Sequence, residues 1–476
     1  MEHAHLPLMT VTELAPLLAR REVSPVEVVD AHLARIERLN PRLNAYITVT
    51  ADAARAAARR AEQTILAGDY LGPWHGIPIA VKDLLDSQDI RTTYGSAIFA
   101  DHVPQRDATV LSRLTQAGAI LLGKLNLHEF ATGGDPYNPH YGLAHNPWKA
   151  QEAYSSGGSS GGSAVATSAG LAMATLGTDT GGSVRIPAAL CGIVGLKPTY
   201  GRVSRAGVWP VSWSMDTVGP MTRSVADCAL MLQAMAGFDP ADPTTSPQPV
   251  PDYHAALRRD VSGWRAGILQ LPGLEGLDPE SAQATQRACT TLAELGLDCV
   301  EVSIPLLAHS AAVYNAIVSP DAYGVHADLL RRYGHAYGAM VWKRYCMGAL
   351  IPAHLYLKAQ RFRALLTQHM LALFQDVDVM VTPATLFPAF SVADGTSEMI
   401  TIAGQSVSKT LASSGLTHPF NLTGMPALVL PSGVSERGLP LGLQIAARPF
   451  AEETLFAVAH AYEQQAGWWR QRPPLD

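Results

Sequence analysis

Two periodicities alternate along the chain. Residues Thr10–Glu13 (TVTE) and Ser24–Glu27 (SPVE) each set a hydroxyl three places before a glutamate, the spacing of a capping box. Pro25 follows the second cap at the first helical position, so the pattern predicts two helices at the start of the chain. The alanine-rich run ADAARAAARRAEQTILAGD predicts a third helix that stops near Gly68. Short apolar runs then appear. Ile77–Val81 directly precedes Lys82 in HGIPIAVKDLLD, and AGAILLGKLNL and LCGIVGLKPT repeat the theme. Strands alternating with helices predict an α/β fold with a largely buried sheet.

The proline-dense segment FDPADPTTSPQPVPD, ending at Asp252, has the composition of an interdomain linker. The strand-like GWRAGILQL follows at once and the rhythm continues through LGLDCVEVSI, so we read it as a surface loop within one domain spanning 1–476. Residues 305–375 are helical and rich in Tyr, Trp and His, which suits a substrate-facing region. Strands return at DVDVMVTPAT and PALVLPSG, and EETLFAVAHAYEQQ predicts a closing helix. No internal repeat interrupts this order.

Composition narrows the function classes. With 476 residues, 47% of them hydrophobic, the chain can bury a large core. A net charge of -6 gives no reason to expect nucleic acid or an anionic membrane as partner. The five cysteines (Cys191, Cys228, Cys289, Cys299, Cys346) are odd in number and lack a CxxC, which favours reduced thiols in a cytoplasmic protein. MEHAHLPLMT has neither the basic nor the apolar region of a signal peptide, and no apolar run reaches the length of a membrane span. A homodimer is left open.

Residues 155–197, SSGGSSGGSAVATSAGLAMATLGTDTGGSVRIPAALCGIVGLK, join small hydroxyl residues to a core-like apolar stretch. A Gly/Ser linker would not run straight into apolar helix and strand patterns. A phosphate cradle would need GK[ST] or GxGxxG, and neither is present. Nucleophilic catalysis fits better. In TDTGGS two glycines precede Ser183, where side chains would obstruct an acyl group approaching successive backbone N–H groups. GxSxG and HExxH are absent, and His140 and His145 have poor metal spacing, so no metal or cofactor is expected. The base remains to be found. Lys82 ends an apolar strand, where burial would lower its pKa, but a strand-end salt bridge with Asp83 or Asp86 is an equal reading of that stretch. Cys191 sits in an apolar setting that raises a thiol pKa and is read as core packing.

HGIPIAVKD, GGSSGGSA and GTDTGGSVRIPAALCGIVGLKPT together resemble the amidase signature family, in that family's order and spacing. The likeness covers about 10–235, with the signature core at about 65–235, and resumes at FNLTGMPALVLPSG and GLPLGLQIAARPF. The resemblance implies one mixed, twisted sheet covered on both sides by helices. It implies Ser183 as nucleophile, Ser159 as bridging serine on a cis peptide bond, and Lys82 as base. Thr180, Gly181, Gly182 and Ser183 match the oxyanion-hole backbone, and Ser160, Asp179 and Arg185 match supporting positions. Ala131, Thr132 and Gly133 fall in the stretch that lines the acyl pocket of similar proteins.

Three functions then compete. The first is a stand-alone hydrolase of a small-molecule amide, anilide or carbamate, with Trp209, Trp213 and the 305–375 region shaping the leaving-group side. The second is the glutaminase (A) subunit of a tRNA-dependent amidotransferase. That subunit holds the ammonium of glutamine with an acid at the place where this chain has Ser414, while Arg344 matches its carboxylate-binding arginine. The third, a scaffold that only retains the fold, does not explain the joint presence of Lys82, Ser159 and Ser183.

Overall fold

The computed structural model describes residues 3–134, 136–270, 277–392, 399–402 and 404–475. Both capping boxes form. Thr10 Oγ1 accepts from the Glu13 N–H at 3.2 Å while the Glu13 carboxylate accepts from the Thr10 N–H at 2.8 Å. Ser24 and Glu27 do the same at 3.1 and 2.8 Å. The helices they start are Val11–Ala19 and Pro25–Leu43, and the alanine-rich helix Ala51–Ala67 ends at Gly68 with φ 101°.

Eleven strands among the described residues form one mixed sheet. In chain order they are β1 (Tyr46–Val49), β2 (Pro78–Lys82), β3 (Ile120–Leu125), β4 (Ala174–Asp179), β5 (Val194–Lys197) and β6 (Thr217–Thr222). They continue with β7 (Arg265–Gln270), β8 (Asp298–Ser303), β9 (Val379–Pro383), β10 (Ala427–Val434) and β11 (Pro440–Ala446). Across the sheet the order is β1-β3-β2-β4-β6-β5-β10-β11-β9-β7-β8. β2 runs parallel to both neighbours, pairing Ile79 with Leu121 of β3 and with Ala174 of β4. β4 and β6 are antiparallel, with Asp179 opposite Thr217.

The sheet carries core on both faces. Along β2, Ile79 and Val81 join one apolar cluster and Ala80 joins the other; along β10, Leu428 and Leu430 divide from Val429 in the same way. Every residue of β2, β4 and β6 is buried, as expected of central strands covered on two sides. Edge strand β8 instead has only exposed and half-buried positions. The region read as a substrate-facing cap is formed by helices Ser310–Tyr333, Ala339–Gly348 and Ala353–Leu373. The proline-dense segment runs between Met235 and Tyr253 as turns and loop.

Two strands escape the apolar-run reading. β1 is only four residues long, and β6 (TVGPMT) contains Gly219 and Pro220, which argue against a central strand. Gly219 is there because strand β5 passes so close that a Cβ would lie 2.0 Å from the Leu196 carbonyl oxygen.

Since Ile79 is fully buried in the strand that carries Lys82, Ile79→Ala should cost about 2–5 kcal/mol in urea denaturation. A loss under about 0.5 kcal/mol would contradict the packing described.

Candidate active site

Parallel strands β2 and β4 end side by side, so Lys82 and Asp179 emerge at the same carboxyl edge, the edge where open α/β sheets place their ligands. The Lys82 side chain is fully buried and surrounded by hydroxyls. Its Nζ lies 2.7 Å from Ser159 Oγ, 2.8 Å from Thr178 Oγ1 and 3.0 Å from Ser160 Oγ. Burial lowers its pKa to about 7, although the charges of Asp179 and Asp216 act in the opposite direction. The salt-bridge reading of Lys82 fails on geometry. Asp83 faces Lys124 at 3.3 Å, and Asp86 accepts from the Tyr94 hydroxyl at 2.7 Å.

Ser159 follows a cis Gly158–Ser159 peptide bond, and its carbonyl accepts from the His128 N–H at 3.1 Å. The Ser160 N–H donates to the Ser183 carbonyl at 3.3 Å, tying the two serine loops together. Ser183 lines a cavity with Thr180, Gly181, Ala131, Thr132 and Gly133. The structure thus brings the residues singled out in three separate motifs to one place.

Asp179 acts as a hub beneath the Ser183 loop. Its carboxylate accepts from Arg185 Nε and Nη2 at 3.0 Å each, from the Gly182 N–H at 2.8 Å and from the Val184 N–H at 3.2 Å. Burial alone would raise its pKa, but the Arg185 charge and the hydrogen bonds from Arg185 and Asn421 hold it well below the usual carboxylate range. The Gly182 N–H is committed to Asp179, so Gly182 serves the loop through its conformation. The glycines are required on steric grounds. Gly182 has φ 125°, and a Cβ at Gly181 would lie 2.4 Å from the Tyr314 hydroxyl oxygen.

Sequence reading missed several partners. Thr178 completes the Lys82 cradle, and Thr180 donates to Asp216 at 2.6 Å. Asn421 donates to Asp179 at 2.8 Å, while Arg185 reaches Gln444 at 2.7 Å and the Thr417 carbonyl at 3.1 Å. Asn421 and Gln444 lie in the C-terminal segments FNLTGMPALVLPSG and GLPLGLQIAARPF that carry the resemblance, but more than 200 positions from the serine motifs, and no local pattern gives them or Thr417 a place at this site. The cavity wall also holds Arg344, Ser413, Ser414, Tyr314 and His418. Arg344 Nη1 donates to the Thr132 carbonyl at 2.5 Å, and the His418 ring stacks on Tyr314 at 3.8 Å.

The other candidates are structural. His140 pairs with Glu129 at 2.9 Å, His75 Nδ1 accepts from the Leu71 N–H at 3.1 Å, and the Cys191 thiol is pushed up by complete burial. Among the described residues no three His, Cys, Asp or Glu side chains cluster as metal ligands, and no helix is long and apolar enough to cross a membrane.

The family model Amidase matches residues 27–456. The chain belongs to that family. Its sequence is 43% identical over 491 residues to the A subunit of the glutamyl-tRNA(Gln) amidotransferase of Geobacter metallireducens, covering 98% of both chains. Its fold superposes with a TM-score of 0.91, at 35% identity over 96% of this chain and 99% of the other, on a structure from a vestigial protein complex linked to the origins of an s-triazine catabolic enzyme. The A subunit of the Thermotoga maritima glutamyl-tRNA(Gln) amidotransferase gives 0.81 at 29% identity, covering 96% and 95%. Membership in the family accounts for both halves of the site, since the matched span takes in the serine motifs and the C-terminal residues that brace Asp179.

Arg185→Met should leave Asp179 buried without its guanidinium partner and cost about 3–5 kcal/mol in thermal or urea unfolding. Arg185→Met combined with Asp179→Asn should recover part of that loss, and a double variant no better than the single would contradict the pairing.

Proposed function

We propose that the chain hydrolyses a carboxylic amide through an acyl-enzyme on Ser183, with Ser159 and Lys82 as its proton relay. The observation that carries this reading is a fully buried lysine held by hydroxyls alone, with a pKa near 7. A neutral amine has two N–H donors and one lone pair, so of three surrounding hydroxyls one donates to it. Ser160 Oγ donates to the Thr178 carbonyl at 3.3 Å and so accepts from Lys82. Ser159 Oγ is the nearest hydroxyl to Nζ and supplies the proton that the lone pair takes. Ser183 Oγ then passes its proton to Ser159 as it attacks the carbonyl carbon. Backbone N–H groups of the Thr180–Ser183 loop face the developing oxyanion. When the C–N bond breaks, the proton held by Lys82 returns through Ser159 to the departing nitrogen, and water releases the acyl group.

The comparisons support the glutaminase (A) subunit better than a stand-alone hydrolase, since a full-length relative at 43% identity bears that name. The cavity sets a condition on this reading. Arg344 is available to an anionic or carbonyl-rich acyl group, whereas no carboxylate lines the cavity among the described residues, and Ser414 stands on its wall. Ammonia release from glutamine, from neutral amides and from carbamates, by the chain alone and with amidotransferase partner subunits, separates the two. Glutamine turned over best, and only with the partners, assigns the amidotransferase role; efficient turnover of other amides by the chain alone assigns the stand-alone role.

Ser183→Ala should remove nearly all turnover, and Lys82→Ala and Ser159→Ala should each lower kcat on the order of 10⁴-fold. The double variant should lose little more, because the relay works as a unit; multiplicative losses would contradict it. Because the reactive form is the neutral amine, kcat/KM should fall as pH drops through about 7 along a one-proton limb and level off above it. A limb that moves with substitution of His75, His128, His140 or His145 and survives in Lys82→Ala would sink the lysine base.

A further inference from the structure

A second cavity of about 200 Å³ lies beside the one that holds Ser183, and the two share Thr180 and Val211 on their walls. Its floor includes Thr178, whose hydroxyl is 2.8 Å from Lys82 Nζ. The second cavity thus borders the Lys82 cradle through Thr178, while the first is lined by Ser183 and Arg344. Acyl transfer needs two such spaces. The acyl half must rest against the nucleophile, and the departing nitrogen must lie toward the group that returns its proton, which is Ser159 backed by Lys82.

We propose that this second cavity holds the amine half of the substrate, and that the amine carries an aromatic or bulky apolar substituent. The inference rests on the amide-hydrolase reading above and adds the leaving group to it. Size supports it. A site for ammonia needs roughly the space of one water, on the order of 10–15 Å³, whereas an apolar cavity of about 150 Å³ accepts a benzene ring. Chemistry supports it too. Trp209, Trp213, Val211 and Val218 supply apolar wall, with Trp213 63% exposed at the mouth. The charges present are already engaged. Asp216 accepts from Thr180 Oγ1 at 2.6 Å and from the Val211 N–H at 2.8 Å, and Arg205 stands 3.7 Å from Asp242 while donating to the Trp213 carbonyl at 2.6 Å. On the described wall Arg205 faces Asp242, and the Asp216 carboxylate is taken up by the neutral donors of Thr180, Val211 and Ser212.

The test holds the acyl group constant and changes the amine. The anilide should exceed the primary amide at least tenfold in kcat/KM. Ala241→Trp, which adds bulk at an exposed position on the cavity wall, should lower the anilide-to-primary-amide ratio at least tenfold. Aniline and N-methylaniline, both neutral at physiological pH, should bind the Ser183→Ala chain in calorimetry, with ammonium failing to compete, and Ala241→Trp should weaken that binding at least tenfold. A ratio unmoved by Ala241→Trp, or amines that do not bind, overturns the proposal. If no amide of any kind is hydrolysed, the reading of Ser183 fails instead, and the calorimetry still decides whether the cavity takes an amine.

Discussion

Everything at this site depends on keeping the Lys82 amine out of water without giving it a carboxylate. Burial disfavours the ammonium, and the charges of Asp179 and Asp216 offset that only in part, so the pKa settles near 7. Lys124 shows the contrasting case within the same fold. It is equally buried but meets the Asp83 carboxylate at 3.3 Å, together with the Leu85 carbonyl and Thr92. Asp83 follows Lys82 directly, so the chain places an acid next to this lysine in sequence and then turns it toward a different one. The opposite pairing would hold the Lys82 charge in place and stop it from accepting a proton.

Asp179 presents the same problem with the sign reversed. An acid so near Lys82 raises the lysine pKa, and the structure limits this by surrounding the carboxylate with Arg185, Asn421 and three backbone N–H groups. Those bonds also fix the loop that carries Gly181, Gly182 and Ser183. One buried ion pair thus moderates Lys82 and shapes the Ser183 loop, and it ties in strand β11 and the helix His418–Thr423, whose Gln444 and Asn421 accept from Arg185.

What could be read from the sequence follows from how local each cause is. Capping boxes, the apolar run of β2 and the glycines before Ser183 act over a few residues, so their signatures stand in the text of the chain. The family resemblance extended this to Ser159, Ser160 and Arg185, whose roles no short-range pattern shows. Strand β6 was hidden because Gly219 and Pro220 answer to the approach of a neighbouring strand and to no rule of their own segment. Thr178 was hidden because alternation along β4 aims it at Lys82 only once β2 lies alongside. Thr417, Asn421 and Gln444 become partners of the site only through the order of the whole sheet.

Charge around the cavity that Ser183 lines also favours one kind of occupant over another. Burial, and after it the nearby Arg344 and Arg185, lowers the His418 pKa to about 3, so this ring is neutral at physiological pH. Tyr314 and Tyr345 are pushed up by burial and stay protonated. Arg344 is then the one formal charge on the described wall, and its guanidinium is shared only with a backbone carbonyl there. A carboxylate or a row of carbonyls on the occupant gains from that cation. An ammonium entering the same space gives up its water to face a like charge and a serine hydroxyl at Ser414, a cost that a neutral or anionic occupant does not bear.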